Sequence, residues 1–166
     1  PGAVCPNGMM SISPFNVTGS EKNKWDKDSR WWSTPYTSDN CWFTGFSHVN
    51  LSGVGCPDLG TIITMPTSGE LTTDYKLYGS DYTGETAQPG YYALKLSKYD
   101  IMAEVASTMR SSIERYTYRK GKAHVIVNLG QGLTNESGGF IRKVSDTEIE
   151  GMRLCGGFCY HSQAVF

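Results

Sequence analysis

The sequence lacks any excess of charge of one sign. Its 15 Lys and Arg stand against 16 Asp and Glu, so the formal net charge is −1 over 166 residues. A nucleic-acid groove or a polybasic membrane patch needs clustered positive charge, which this balance does not offer. Charge of both signs is scarce, at 19% against an average of about a quarter. No stretch approaches the roughly 20 apolar residues that would cross a bilayer as a helix. Repeats, heptads and low-complexity tracts are missing. So are the G-x-x-x-x-G-K-[ST] phosphate loop and the G-x-S-x-G nucleophile elbow. Gly53-x-Gly55 has no βαβ context that would make it a dinucleotide fingerprint. The chain opens at Pro1 without an initiator Met or a charged-then-apolar leader. The expectation is a piece of something longer, from which any targeting segment has been removed.

An even cysteine count is also missing. Cys5, Cys41, Cys56, Cys155 and Cys159 cannot all pair within the chain. Cys155-x3-Cys159 with His161 nearby resembles half of a zinc site. Structural zinc takes four ligands, usually as two close pairs, and no second pair exists, so scattered thiols are expected and no metal. The N-x-S/T matches at Asn16, Asn50 and Asn135 are too common a pattern to prove secretion.

What the sequence does have is glycine (19), tyrosine (10) and tryptophan (4), a composition that favours an all-β domain over a helical bundle. Met9–Ser13 reads as a short strand ended by Pro14, and Thr61–Met65 as a strand closed by Pro66. Residues 16–40 form a long polar segment, which in a compact domain is most often functional. Residues 70–84 suggest a hairpin or meander. After the Pro89-Gly90 turn, Tyr91–Tyr99 alternates as a strand does. Ile101, Val105, Met109 and Ile113 recur every four residues like a helix face, but Ser, Thr and Tyr content over 101–118 favours strand. His124–Leu129 reads as a buried strand, and Phe140–Val144 with Thr147–Leu154 as a pair turning near Ser145-Asp146. Gly157–Phe166 reads as a last strand that stops without a turn. The fold expected is a single antiparallel β-sandwich, cut short at its C-terminal end.

The densest chemistry lies in Ser47–Gly60. Glycines at 53, 55 and 60 permit close backbone approach to a ligand, with His48, Asn50, Ser52, Cys56 and Asp58 as polar tips. Ser52 or Cys56 as nucleophile, His48 as base and Asp58 as orienter would make a triad, but a triad is defined by geometry. The preferred reading is that His48 and Ser52 hydrogen-bond to the loop's own backbone and hold it in shape. Sugar recognition suits the segment better than phosphate, because Trp25, Trp31, Trp32 and Trp42 lie beside it and a pyranose has an apolar face. The same tryptophans could form a small core of their own. For glycoside hydrolysis two carboxylates are needed. Asp26, Asp28, Asp58, Glu104, Asp146 and Glu148 are candidates, none singled out by context.

Several strings together resemble the N-terminal domain of glycoside hydrolase family 92, calcium-dependent exo-acting α-mannosidases of mostly bacterial origin. Pro1-Gly2-Ala3-Val4-Cys5-Pro6-Asn7-Gly8-Met9, with Ser13-Pro14, is similar to the family's P-G-A-x-x-P-F-G-M opening. Gly45-Phe46-Ser47-His48 followed by Ser52-Gly53-x-Gly55, Asp58 and Gly60 is similar to G-F-S-H-x-x-x-S-G-x-G. Met65-Pro66, Pro89-Gly90-Tyr91-Tyr92, Arg115-Tyr116 and Thr147-Glu148-Ile149-x-Gly151-x-Arg153 follow in the family's order. Two positions depart from the pattern: Asn7 stands where Phe is usual, and Glu114 where His is common.

The resemblance implies a β-sandwich packed against a helical (α/α) barrel, with the active site between them. Catalytic carboxylates and calcium ligands then come chiefly from the barrel, and hydrolysis inverts the anomeric centre. No catalytic residue, metal ligand or bound calcium is expected on this chain, which alone should be inactive. The sandwich is expected to line part of the mannose pocket through Asn7, Trp31 or Trp32, Gly53, Gly55, Cys56 and Asp58. The implied partners are terminal α-mannosides and the missing helical domain, and the implied location is secreted, periplasmic or cell-surface. Two alternatives stand beside this: a free-standing lectin-like module, and an extracellular interaction domain without a sugar site.

Overall fold

The structure is a computed structural model that describes residues 2–17, 34–51, 59–133, 135–156 and 163–166, with Asn135 described for its backbone alone. Strands dominate. One five-stranded sheet has the order β1 (Ala3–Val4), β2 (Ser11–Phe15), β4 (Gly45–Asn50), β5 (Leu59–Ser68), β10 (Ala123–Asn128). A second has the order β3 (Trp42–Phe43), β6 (Ser80–Gln88), β7 (Tyr91–Leu96), β8 (Ile101–Ser107), β9 (Ser112–Tyr118). A three-stranded sheet holds β11 (Asn135–Lys143), β12 (Ile149–Gly156) and β13 (Gln163–Val165). All pairings are antiparallel, so the expected sandwich is observed. Among the described residues, no helix is long and apolar enough to cross a membrane.

The alternation that makes a strand amphipathic is clearest in β8. Ile101, Ala103, Val105 and Ser107 are buried, while Met102 faces out. The four-residue recurrence through Ile113 is a multiple of two and suits a strand as well as a helix. A tight turn, in which Thr108 N–H donates to the Ser111 carbonyl at 2.8 Å, splits the run into the β8–β9 hairpin. Met109 and Ile113 end up outside.

Both prolines expected to stop strands lie inside them. Pro14 sits in β2 opposite Phe46, and Pro66 in β5 opposite Val125. At Pro14, β1 has already ended, since it pairs only with Ser11 and Ile12. At Pro66, β4 has ended, its last partner on β5 being Thr64. Each proline therefore meets an open flank, where its missing N–H breaks no ladder bond. Residues 70–84 differ from the hairpin expected. Tyr75–Tyr78 is one helical turn, α1, capped by the Asp74 side chain, which accepts from Lys76 N–H at 2.9 Å. β10 is half-exposed rather than buried.

The core lies between the two larger sheets. Ile12, Phe46 and Met65 from the first meet Phe43, Tyr92, Leu94, Leu96, Ile101 and Val105 from the second. Phe46 is edge-on to Phe43 at 4.9 Å and to Tyr92 at 6.1 Å between ring centroids. The third sheet is fastened to the first by Arg153, fully buried on β12. Its guanidinium donates to Thr61 Oγ1 at 2.5 Å and to the Gln131 carbonyl. Gly132 makes room for it, since a Cβ there would fall 2.3 Å from Nη1.

A polar bridge also joins the sheets. His48 on β4 presents Nε2 to Glu114 Oε1 on β9 at 2.6 Å, and Nδ1 to the Ile62 carbonyl on β5 at 2.6 Å. The carbonyl can only accept, so Nδ1 carries a proton. Thr64 Oγ1 donates to Glu114 Oε2 at 2.8 Å, and the Tyr116 hydroxyl donates to the same oxygen. Burial pushes the His48 imidazole down, but the Glu114 carboxylate and Ile62 carbonyl more than offset this and hold it above its ordinary value. Burial pushes Glu114 up, but His48, Tyr116 and Thr64 together hold it below the usual carboxylate range. Both ring nitrogens of His48 thus face acceptor oxygens, one of a carbonyl and one of a carboxylate.

Two measurements follow. Phe46→Ala should lower the urea-unfolding free energy by about 3–5 kcal/mol, the usual range for removing a fully buried phenyl ring. The contribution of His48 is complete below its unfolded value of 6.5 and fades as pH rises through its raised folded value. That of Glu114 is complete above 4.5 and fades as pH falls through its lowered folded value. Urea midpoints from about pH 3 to about pH 9 should therefore plateau in between and drop on both sides. His48→Ala should be destabilised by about 3 kcal/mol at the plateau, because it strands a covered carboxylate.

Candidate functional site

The segments that sequence reading placed in a sugar pocket leave the sandwich at neighbouring points. β4 and β5 pair as far as Asn50 opposite Leu59, so the glycine-rich residues between them hang from that pair. Both feet are held in unusual backbone: Val49 has φ 57° and Leu59 φ 63°, left-handed values that side chains other than glycine rarely adopt. Gly60 follows at φ 60°, and a Cβ there would lie 2.8 Å from Leu133 Cγ. Asn50 locks the first foot. Its Nδ2 donates to the Ser11 carbonyl at 3.0 Å, its backbone N–H donates to Ser11 Oγ at 3.0 Å, and its Oδ1 accepts from Ser47 Oγ at 3.0 Å. Gly53, Gly55, Cys56 and Asp58 themselves lie outside the described residues, as does Ser52.

The tryptophan-bearing segment is closed at its base by a pair of asparagines. Asn16 N–H donates to the Pro35 carbonyl at 3.0 Å, and its Oδ1 accepts from Thr37 N–H at 2.9 Å. Its Nδ2 donates to the Thr37 carbonyl at 2.8 Å, while Asn40 Nδ2 donates back to the Asn16 carbonyl at 2.8 Å. Asn16 is fully buried, so this sequon match serves the fold. Trp25, Trp31 and Trp32 lie outside the described residues, while Trp42 is buried on β3.

Asn7 occupies a tight turn in which Gly8 N–H donates to the Cys5 carbonyl at 2.9 Å. With proline second and φ 60° at the third position, the geometry is that of a type II turn, where asparagine is tolerated far better than a large aromatic residue. Backbone conformation thus gives a reason for Asn7 in place of the family's Phe.

These three points frame one end of the molecule. A hollow of about 610 Å³ is lined by Gly8 beside the Asn7 turn, Ser11 and Ser13 of β2, Thr34 and Tyr36 from one stem, and Asn50 from the other. A second, of about 620 Å³, shares Gly2, Val4 and Gly8 with it and includes Asn7, Cys5 and Gln88. No Asp or Glu is among the described residues lining either one. Sequence reading missed Tyr36 as a wall residue and had Asn50 only among the polar tips of the glycine loop. Their place beside the expected tryptophans and glycines was the signal available.

Two of the candidate carboxylates are engaged away from these hollows. Glu104 takes a two-pronged bond from Arg115, at 2.7 and 2.8 Å, and another from the Tyr91 hydroxyl at 2.9 Å. Arg115 and Tyr91 hold it below the usual carboxylate range. Asp146 is exposed and paired with Lys143. Asp26, Asp28 and Asp58 lie outside the described residues, as do Cys159 and His161. His48 bonds to backbone, but at Ile62 on β5 and not within the Ser47–Gly60 loop as the scaffold reading expected, and its other nitrogen goes to Glu114, 66 residues away, a pairing no local pattern signals. Among the described residues, no group of three or more His, Cys, Asp or Glu is gathered, so they do not fit a calcium cradle, which takes several oxygen ligands.

A third hollow, of about 680 Å³, adjoins the site and is chiefly apolar. It is lined by His48, Val49, Val127 and Leu129, and by Phe140 and Ile149 of the β11–β12 hairpin.

Comparison with known proteins bears on what this arrangement is. The profile of the glycosyl hydrolase family 92 N-terminal domain matches residues 1–166. The family GH92 α-mannosidase BT3965 from Bacteroides thetaiotaomicron, solved in complex with mannoimidazole, superposes with a TM-score of 0.85 at 30% identity over 99% of this chain. The family GH92 inverting mannosidase BT2199 from Bacteroides thetaiotaomicron VPI-5482 gives a TM-score of 0.66 at 19% identity over 91% of this chain, a likeness of fold. The chain spans 22% of the length of the first and 19% of the second. No curated protein matches it. With the family profile running from the first residue to the last, and the same sandwich found in a mannosidase of 30% identity, the chain belongs to the N-terminal domain of glycosyl hydrolase family 92.

Proposed function

We propose that this domain forms one wall of the cleft in which an exo-acting, inverting α-mannosidase holds a terminal mannose, and that it is inactive alone. The observation that supports this is the convergence of the Asn7 turn and the two loop stems at one hollow. The hollow offers hydroxyl, amide and aromatic groups without an acid among its described lining. Such a wall can bind and orient a hexose, but it cannot supply the two carboxylates that inversion requires. These, and the calcium ligands, are assigned to the helical domain of the whole enzyme, which is secreted, periplasmic or cell-surface on this reading.

The apolar hollow beside the site suits docking of that helical domain. Its residues adjoin those of the sugar hollow along the chain: Met10 precedes Ser11, and Val49 precedes Asn50. A domain seated on Phe140 and Ile149, both half-exposed, would come to rest against the loop stems.

Titration of the chain with methyl α-mannoside, followed by amide NMR, tests the proposal. Expected are weak, non-saturating shifts at millimolar sugar confined to residues near 6–8, 11–13, 34–36 and 50–51, and no release of nitrophenol from an aryl α-mannoside. Turnover by the chain alone would refute inactivity. Saturation below millimolar sugar would favour a self-sufficient lectin.

A further inference from the structure

We propose that Tyr36 is the stacking platform of the sugar hollow and that Glu85 is its positioning residue, a role resting on the mannose-wall reading above. Tyr36 is the one aromatic residue among the described residues that line this hollow. A hexose presents a face of C–H groups, and an aromatic ring receives that face best when the ring is immobile before the sugar arrives. Otherwise part of the contact is lost in freezing the side chain.

Tyr36 is tied at both ends. Its backbone is held by Thr34 Oγ1, which donates to the Tyr36 carbonyl at 3.1 Å, and by Asn16, which bonds to the residues on either side of it. Its hydroxyl donates to Glu85 Oε2 at 3.1 Å. The other carboxylate oxygen, Oε1, accepts from Tyr92 at 2.5 Å, and the Tyr92 ring is fully buried between the sheets. A core tyrosine thus holds a carboxylate, and the carboxylate holds the hollow's tyrosine.

The backbone is shaped to make this connection. β6 and β7 pair as Thr83 with Lys95 and then as Thr86 with Ala93, so Gly84 and Glu85 together face a single residue, Leu94. This bulge has Gly84 at φ 63°, in open space, where the glycine answers a conformational need and no steric one. Bulges commonly re-aim a side chain beside a site. Here it turns Glu85 toward Tyr92 and Tyr36.

The test is a methyl α-mannoside titration of the tyrosine-13C-labelled chain and its variants, with thermal melting as a check on folding. Tyr36→Ala should weaken binding about tenfold, the loss of the platform. Tyr36→Phe and Glu85→Ala should each weaken it about fivefold, the worth of one net hydrogen bond, and the double variant should lose no more than either. Glu85→Gln should restore binding, since its amide oxygen still accepts from Tyr36. Glu85→Ala should also shift the Tyr36 ring resonances before sugar is added. If the wild-type chain binds at the hollow and Tyr36→Ala binds equally well, the platform is overturned and the mannose wall survives. Additive losses in the double variant overturn the positioning role of Glu85. If the wild-type chain shows no shift near residues 34–36 and 50–51, the mannose wall falls and the platform with it.

Discussion

An imidazole and a carboxylate can leave water together only if each satisfies the other, and His48 and Glu114 do so between the two large sheets. The pair sets more than the sheets' separation. By bonding to the Ile62 carbonyl, His48 also fixes the irregularity in β5, where the register with β4 shifts between Ser47 and His48. Ile62 has φ 53°, an uncomfortable value for a β-branched residue, and Val49 beside His48 has φ 57°. Such backbone persists only where surrounding bonds over-determine it. Here the bonds are those of the His48 bridge on one side and the Asn50–Ser11 lock on the other. What hangs from these strands takes its direction from them.

The same logic recurs at the other stem. Asn16 and Asn40 replace a ladder with side-chain amides, which reproduce backbone hydrogen bonds where no strand can run. Both stems are therefore rigid at their roots, and both roots open on one hollow. Rigid roots allow the intervening residues to differ among relatives while the place of the site is kept. A sandwich is suited to this, because its strand ends gather connections from both sheets at one edge.

Much of the fold could be read from the residues alone, because strand signals are local. Alternation in β8 and the turn at Pro89-Gly90 need only neighbours to interpret. What escaped reading depends on partners distant in sequence. Pro14 and Pro66 are tolerated because neighbouring strands end early, which only the assembled sheet shows. α1 is a single turn held by one cap, too short for any periodicity to announce. In the site, the glycines and the Asn7 turn stood out as unusual residue types. Tyr36 did not, being one of ten tyrosines, and it is distinguished only by a bulge 48 residues later. Glu114 stood out as a departure from the family's pattern, yet its partner is in the other sheet.

The described acids bear on the division of labour proposed above. A carboxylate that transfers protons during glycoside hydrolysis must be free to change charge and must face its counterpart across the bond being cut. Glu114 is committed to three donors at a sheet junction, Glu104 to an arginine fork and a phenol, and Glu85 to two phenols. The donors around Glu114 and Glu104 hold both below the usual carboxylate range, so these two resist the change that catalysis would demand. Carboxylates so engaged hold walls in place. On the reading proposed above, acids engaged in this way fix a binding wall, and the two reacting carboxylates come from outside the sandwich.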